Sequence, residues 1–448
     1  MTTTTDWREW LLEPEQEFRF EVGQKQTATI KLVEGNAELF GTELAIDVEY
    51  TFTARKLAIF TWKGCTLLSS GKDIVEYTGM ETPMNQIINV QFALENIRKE
   101  AKLNDQIGPR VMIVGPSDVG KTSLVRILAS YSARLASHPI LCDIDPNGGL
   151  ISLPGTISAM AIHRPIDPEE EFNASVSVYR TTPISYYYGT SVIFEKQKLY
   201  TSLISQLADT VELKLQDKSI KSNGLIIDTP SQFLEQGGFD ILAEAIEKFK
   251  VTIILVIGHE RLLSDLHRKY PDKSTMTILK LNKSGGVASR DKTYRRQSQL
   301  QRVKEYFYGT IKNDLTPFSQ TVSFSEVVVR RVVEGTLAPS SALPIGMEAN
   351  PHEIKFVKVD AGDILLHSVL AVSYAPLPGS GDAVDAAGKP KVYTPEEETS
   401  ILLKSNLCGF VYVSEVDETK RKMTILSPNP GRLPKTYLIM GALKWMDA

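Results

Sequence analysis

An α/β protein with a parallel sheet at its centre is what the chain predicts, and three observations predict it. Residues 109–310 alternate apolar strand runs with amphipathic helical stretches. The stretches on either side, 18–68 and beyond about 311, carry short, partly alternating β segments instead. A strand, a glycine-bearing loop and a helical pattern follow one another directly at the start of the central stretch.

The N-terminal segments 18–22, 27–32, 37–40, 45–52 and 57–62 are punctuated by Gly23, Gly35, Gly41 and Gly64. Short strands at this spacing predict a small sandwich or barrel. Residues 85–103 read as a helix, with apolar Ile87, Ile88, Val90, Phe92, Ala93 and Ile97 and the charged end Arg98, Lys99, Glu100. In the centre, strands are expected at 111–114, 140–144, 224–227, 252–257 and 277–280, with amphipathic helices at 123–137, 200–215 and 239–248. That alternation is the pattern of βαβ units, whose helices cover both faces of a parallel sheet. Later strands are expected at 321–323, 327–333, 352–359, 365–371, 409–413 and 423–426. Residues 375–398, rich in Pro, Gly, Asp and Glu, read as a long mobile loop.

At 448 residues the chain exceeds one hydrophobic core. Apolar residues at 42% and charged residues at 23% suit a soluble globular protein. No apolar run approaches bilayer-spanning length, which argues against a membrane role, and residues 1–10 lack the basic start and apolar centre of a signal peptide. Cys65, Cys142 and Cys408 lie too far apart for a disulfide framework or a zinc site, and read as reduced thiols. The net charge of −4 argues against a non-specific nucleic-acid coat, so RNA contact has to come from a local patch.

The chemistry concentrates at residues 115–122, G-P-S-D-V-G-K-T, directly after the apolar run 111–114. Gly115 and Gly120 let the backbone bend so that successive N–H groups face phosphate oxygens, and the following helix adds its positive end. Lys121 supplies a charge for the β- and γ-phosphates, and the Thr122 hydroxyl is the expected Mg²⁺ ligand. Asp118, Val119 and Ser123 complete the nucleotide-binding set. ATP with Mg²⁺ is the expected ligand. A guanine signature N-K-x-D is missing, since Asn282, Lys283 and Ser284 are followed by Gly285.

Two strand ends offer a carboxylate to the metal shell or to proton transfer: Asp143 and Asp145 after 140–142, and Asp228 after 225–227. Ligands of a parallel sheet bind beyond the carboxyl ends of its strands. Residues 289–304 carry six basic side chains and one acid. They fit either a solvated helix face or a lid that brings arginine to a phosphate.

Several motifs together resemble the eukaryotic polyribonucleotide 5′-hydroxyl kinase family, and within it the kinase-like subunit of the pre-mRNA 3′-end cleavage factor. They are the phosphate loop, P-G-T from Pro154, K-S-G-G-V from Lys283, E-Y-F-Y-G from Glu305, A-E-L-F-G-T-E-L from Ala37, F-T-W-K-G-C from Phe60, L-P-I-G-M from Leu343 and P-G-R-L-P from Pro430. The resemblance implies a P-loop domain flanked by an N-terminal β-sandwich and a small C-terminal α/β domain. With the changes of texture, it sets domains at 1–104, 105–312 and 313–448. It implies that Glu17 and Lys56 contact the nucleotide. It also implies that Asp145 is the catalytic and metal-side carboxylate beside Lys121 and Thr122, and that Arg290 and Arg295 are lid arginines. Implied partners are a scaffold subunit that binds the RNA polymerase II tail, other 3′-end processing factors, and RNA, in the nucleus.

Two departures bear on activity. Active members follow the acid with V-G-Q; here Asp145 precedes Pro146, Asn147 and Gly148. Active members clasp the RNA end with N-T-C-G-W; here the stretch is Asp228, Thr229, Pro230, Ser231 and Gln232, without tryptophan. Because positioning supplies most of the catalysis in phosphoryl transfer, the loss points to an ATP-holding scaffold of mRNA 3′-end cleavage and polyadenylation. Fungal-type members are of this kind. An active RNA 5′-kinase is the alternative.

Overall fold

The computed structural model describes residues 6–169, 182–272, 274–310, 312–335, 353–378 and 393–446. Its contacts divide the chain into two compact units. One comprises Met1–Cys142, Met160–Phe172 and Val211–Ser298; the other comprises Asp143–Ala159, Asn173–Thr210 and Gln299–Ala448.

The first unit opens with a β-sandwich. One sheet orders Arg8–Leu12, Cys65–Gly71, Thr27–Gly35 and Glu49–Thr53. The other orders Thr42–Glu43, Glu38–Leu39, Lys56–Phe60, Glu17–Glu21 and Val75–Gly79. Alternation along the strands turns Ala28, Ile30 and Leu32 inward, opposite Tyr50 and Phe52. They share one core with Phe18, Phe20 and Ile59 of the facing sheet. The expected strand at 45–52 starts only at Glu49, because Asp47 takes a left-handed φ of 61° in the preceding turn. Helix Met84–Leu103 buries Met84, Ile87, Val90 and Leu94, whereas Phe92 and Ile97 face outward.

The same unit holds five strands of the parallel sheet, in the order Ile140–Asp143, Leu225–Asp228, Arg110–Val114, Ile253–Ile257 and Thr277–Leu281. The first four are buried throughout, as expected where helices cover both faces. Register places Ile113 beside Asp228 on one flank and Val114 beside Val256 on the other. The phosphate loop and Asp228 therefore leave the same end of the sheet as neighbours.

The second unit carries an antiparallel pair, Thr156–Ala161 with Ile184–Tyr187, and a seven-stranded sheet. That sheet orders Phe318–Ser323, Lys422–Ser427, Leu407–Asp417, Ser368–Pro376, Thr436–Lys444, Val328–Glu334 and Ile354–Val359. One core joins Val303 and Phe307 to Phe410, Tyr412 and Trp445; a second gathers Val322, Leu370, Val411 and Met440. This C-terminal part is β-rich, with Pro395–Lys404 its one α-helix after residue 312 among the described residues.

The expected loop at 375–398 is corrected at both ends. Ala375 and Pro376 close a strand, and Pro395 opens a helix. The Thr394 hydroxyl and the Glu397 carboxylate cap each other's backbone N–H there, and Pro395 stands at the first helical position. The rest of that stretch, 379–392, lies outside the described residues, as do His352 of the expected strand 352–359 and the L-P-I-G-M motif at 343–347.

Candidate nucleotide-binding site

Strand Arg110–Val114 runs into the glycine loop, which runs into helix Lys121–Arg134. Two glycines are required by geometry. A Cβ on Gly115 would lie 2.7 Å from the Ile257 carbonyl oxygen, and Gly120 has φ +89° where the loop turns into the helix. Val119 is buried and packs beneath the loop toward Gly115 and Gly258, so it fixes the loop from below. Ser123 is half-buried in the first helical turn. Lys121 is buried, and its Nζ donates to the carbonyl oxygens of Gly115 and Pro116 at 2.9 Å each. The lysine thus sits folded over the loop it serves. A bent backbone, a helix start and an ammonium converge on one point, which is the donor set a polyphosphate requires.

Thr122 Oγ1 donates to Asp228 Oδ2 at 2.7 Å. Of the three strand-end acids, Asp228 is seen joined to the threonine. Asp228 also accepts the Thr229 backbone N–H at 3.0 Å. The residues after it are tied to the loop strand. Thr229 Oγ1 donates to the Ile113 carbonyl at 2.6 Å, and Ser117 Oγ donates to Ser231 Oγ at 2.8 Å. The next aromatic residue, Phe233, is 1% exposed and belongs to the core.

Asp145 lies in the second unit, in a closed turn. Its Oδ1 accepts the Asn147 N–H and its carbonyl accepts the Gly148 N–H, both at 3.0 Å. Asp143 accepts from the Asp145 and Leu150 backbone N–H groups. Beneath the turn, the Tyr200 phenol donates to the Ile144 carbonyl at 2.6 Å. Burial, with the Asp145 and Asp143 charges nearby, holds that phenol protonated well above its ordinary range. Gln299 Nε2 donates to Asn147 Oδ1 at 2.8 Å, and the Arg302 guanidinium donates to the Gly148 and Gly149 carbonyls. Tyr200, Gln299 and Arg302 were not among the expected site residues. Their partners lie at least 56 positions away in the chain, beyond the reach of any local motif.

The basic stretch becomes helix Lys292–Tyr308. Asp291 accepts the N–H groups of Tyr294 and Arg295 and so caps its start. Arg295 Nη2 donates to both Asp118 carboxylate oxygens, at 2.8 and 2.7 Å. Arg290 donates its backbone N–H to Asp118, and its guanidinium lies 5.7 Å from the centre of the Tyr294 ring. Lys56 reaches the same ring at 5.4 Å and pairs with Glu21 at 2.8 Å. Glu17 is buried, with its carboxylate engaged by Arg19 and Thr82. Gly286 meets the sandwich closely, since a Cβ there would lie 2.5 Å from Arg19 Nε.

Three family models match. The one described as "mRNA cleavage and polyadenylation factor CLP1 P-loop" covers residues 115–309, "Pre-mRNA cleavage complex II protein Clp1" covers 315–447, and "N-terminal beta-sandwich domain of polyadenylation factor" covers 11–101. A "Protein CLP1 homolog" of Anopheles gambiae is 40% identical over 98% of this chain and 97% of its own.

The chain belongs to the CLP1 family of mRNA cleavage and polyadenylation factors.

Other CLP1 relatives carry two kinds of description. The protein of Botryotinia fuckeliana, 37% identical over 98% of this chain and 93% of its own, is an "mRNA cleavage and polyadenylation factor". That of Gallus gallus, 37% identical over 97% and 96%, is a "Polyribonucleotide 5'-hydroxyl-kinase". Among solved structures, a wild-type Clp1p–Pcf11p complex matches at a TM-score of 0.84 and 27% identity, covering all of both chains. A second, at 0.83 and 27%, covers 99% of this chain and all of its own; it concerns an extended interface of the same two proteins and ATP loss in a glycine-to-arginine variant. The CLP1 P-loop spans the site described above, so nucleotide binding is a property of this chain's central region.

Proposed function

We propose that the chain is an ATP-holding scaffold subunit of the nuclear pre-mRNA cleavage factor, with RNA 5′-kinase activity absent or vestigial. The observation that carries this reading is the state of residues 228–232. Where a kinase clasp would present an aromatic platform, Thr229 and Ser231 are bonded to Ile113 and Ser117, and Phe233 is buried. A base acceptor that offers no stacking surface forgoes about 1–3 kcal/mol per base and loses the in-line hold on a 5′-hydroxyl.

The donor side keeps its parts. Lys121 and the loop backbone from Gly115 to Gly120 take the phosphates, and Thr122, oriented by Asp228, is the Mg²⁺ ligand. The Thr122–Asp228 bond favours Asp228 as the carboxylate beside the metal, in addition to the Asp145 that the family resemblance assigns. Glu17 and Lys56 serve the nucleoside end. ATP is favoured over GTP because Gly285 replaces the guanine-reading acid and donates its N–H to the Glu81 carbonyl. In the proposed domain division, 1–104 supports the nucleoside, 105–312 holds the phosphates and 313–448 is the C-terminal domain. The Clp1p–Pcf11p complex of a solved relative supports a Pcf11-like subunit as partner. The family resemblance adds that this scaffold subunit carries the RNA polymerase II tail-binding domain, with other 3′-end processing factors and RNA nearby.

The second reading is an active 5′-hydroxyl kinase, favoured by the relative so described. There Asp145 is the base, with Lys121, Arg290 and Arg295 on the γ-phosphate. The two readings separate in one assay, transfer of label from γ-labelled ATP to a 5′-hydroxyl oligoribonucleotide. No transfer with ATP retained supports the scaffold. Robust transfer that disappears in Asp145→Asn overturns it. Chromatography of nucleotide released on denaturation should give ATP; mostly ADP or GTP would contradict the reading.

A further inference from the structure

The carboxylate of Asp118 lies within the phosphate loop, yet its bonds run to the lid. It accepts from Arg295 Nη2 through both oxygens and from the Arg290 backbone N–H through one. Arg295 Nε donates to the Arg290 carbonyl at 3.1 Å. The three groups close a ring: Asp118 holds the start of the lid and Nη2 of its arginine, and the lid backbone holds Nε of the same guanidinium. Asp118 adopts φ +54°, a left-handed conformation that aspartate tolerates better than most residues. The loop and the lid arginine are 177 positions apart in sequence, and this carboxylate joins them directly.

We infer that Asp118 is a positioning residue: it holds Arg295 over the phosphate loop and thereby slows nucleotide release, instead of contacting the nucleotide through its carboxylate. The inference rests on the nucleotide-holding reading and deepens it. A guanidinium fixed at two of its nitrogens retains less rotational freedom than one on an open helix, so its remaining N–H groups meet a phosphate at lower entropic cost. The contact is charge-assisted and partly shielded, with Asp118 at 19% and Arg295 at 32% side-chain exposure. Its loss should therefore appear in the off-rate more than in the on-rate.

The test uses the full chain and a fluorescent ATP analogue chased with excess ATP. Asp118→Gly suits the positive φ and deletes the carboxylate; Asp118→Asn keeps one acceptor oxygen; Arg295→Gln removes the guanidinium. Asp118→Gly and Arg295→Gln should each speed release by about tenfold, with Asp118→Asn intermediate. The double variant Asp118→Gly/Arg295→Gln should release no faster than the faster single variant, because both act through one contact. Additive effects would assign Asp118 a purely local role in the loop and overturn the proposal, as would wild-type release from Asp118→Gly. Amide hydrogen exchange at residues 288–296, without added nucleotide, separates the two readings. Faster exchange in Asp118→Gly supports the lid contact even if the analogue fails to bind the wild type, which would sink the ATP reading alone. Unchanged exchange overturns the contact.

Discussion

Two neighbouring strand ends of the central sheet, paired through Ile113 and Asp228, have opposite fates. The loop after Val114 retains every feature a phosphate requires: glycines where the backbone must bend or approach, a lysine, and a threonine at the helix start. The segment after Asp228 turns its polar side chains back onto that loop through Thr229 and Ser231. Under the proposed reading, nucleotide holding and substrate capture are therefore separable at two adjacent strand ends. On that reading the first depends on backbone shape, while the second would depend on side chains that here hold the loop in place.

The sharpest way to break this contrast is Lys121→Ala with Thr122→Ala. Removal of the phosphate charge and the metal ligand should weaken ATP at least about a hundredfold, read by calorimetry, since each charge-assisted bond contributes roughly 1.5–3 kcal/mol. The melting temperature should fall as the bound ligand is lost. An unchanged melt would deny the nucleotide a structural role. Asp228→Asn should come next, by erasing most of the difference in ATP affinity between Mg²⁺ and EDTA buffers. A difference as large as wild type would remove Asp228 from the metal shell and return the role to Asp145.

Thr229→Val probes the other strand end. It leaves the Ile113 carbonyl without its hydroxyl donor in a buried setting, at a cost of about 1–3 kcal/mol in urea unfolding. If the segment were a vestige with no structural duty, the urea midpoint would stay put. The smallest effect is expected from deletion of 379–392, a stretch of mostly small and polar residues. Nucleotide affinity should match wild type, and its loss would tie that stretch to the site.

What could be read from the residues follows the range of the forces involved. The phosphate loop was legible because strand, bend, charge and helix are contiguous, and the parallel strands because buried apolar runs are local. The choice of Asp228 as partner of Thr122 was not legible. It depends on strand order, which places segments more than a hundred positions apart side by side. Asp118 was legible as part of the loop but not as the partner of Arg295, for the same reason. The strand Arg8–Leu12 escaped because its residues show no clean alternation, and only Leu12 is buried. The helix at Pro395 escaped although its signal was present: Thr394, Pro395 and Glu397 spell a capped start inside a composition that suggested only a loop.

The turn at 145–148 also sets how the protein ages. An asparagine followed by glycine is the dipeptide most prone to spontaneous deamidation, because the glycine nitrogen attacks the asparagine side chain with little steric opposition. At Asn147 that nitrogen donates to the Asp145 carbonyl, and the asparagine side-chain oxygen is held by Gln299. While the turn is closed, the engaged nitrogen is held away from the attack, which is therefore slowed. Isoaspartate at position 147 would accumulate faster in molecules whose turn has opened, so a stored sample would carry in its mass spectrum a record of how often this acid-bearing loop comes undone.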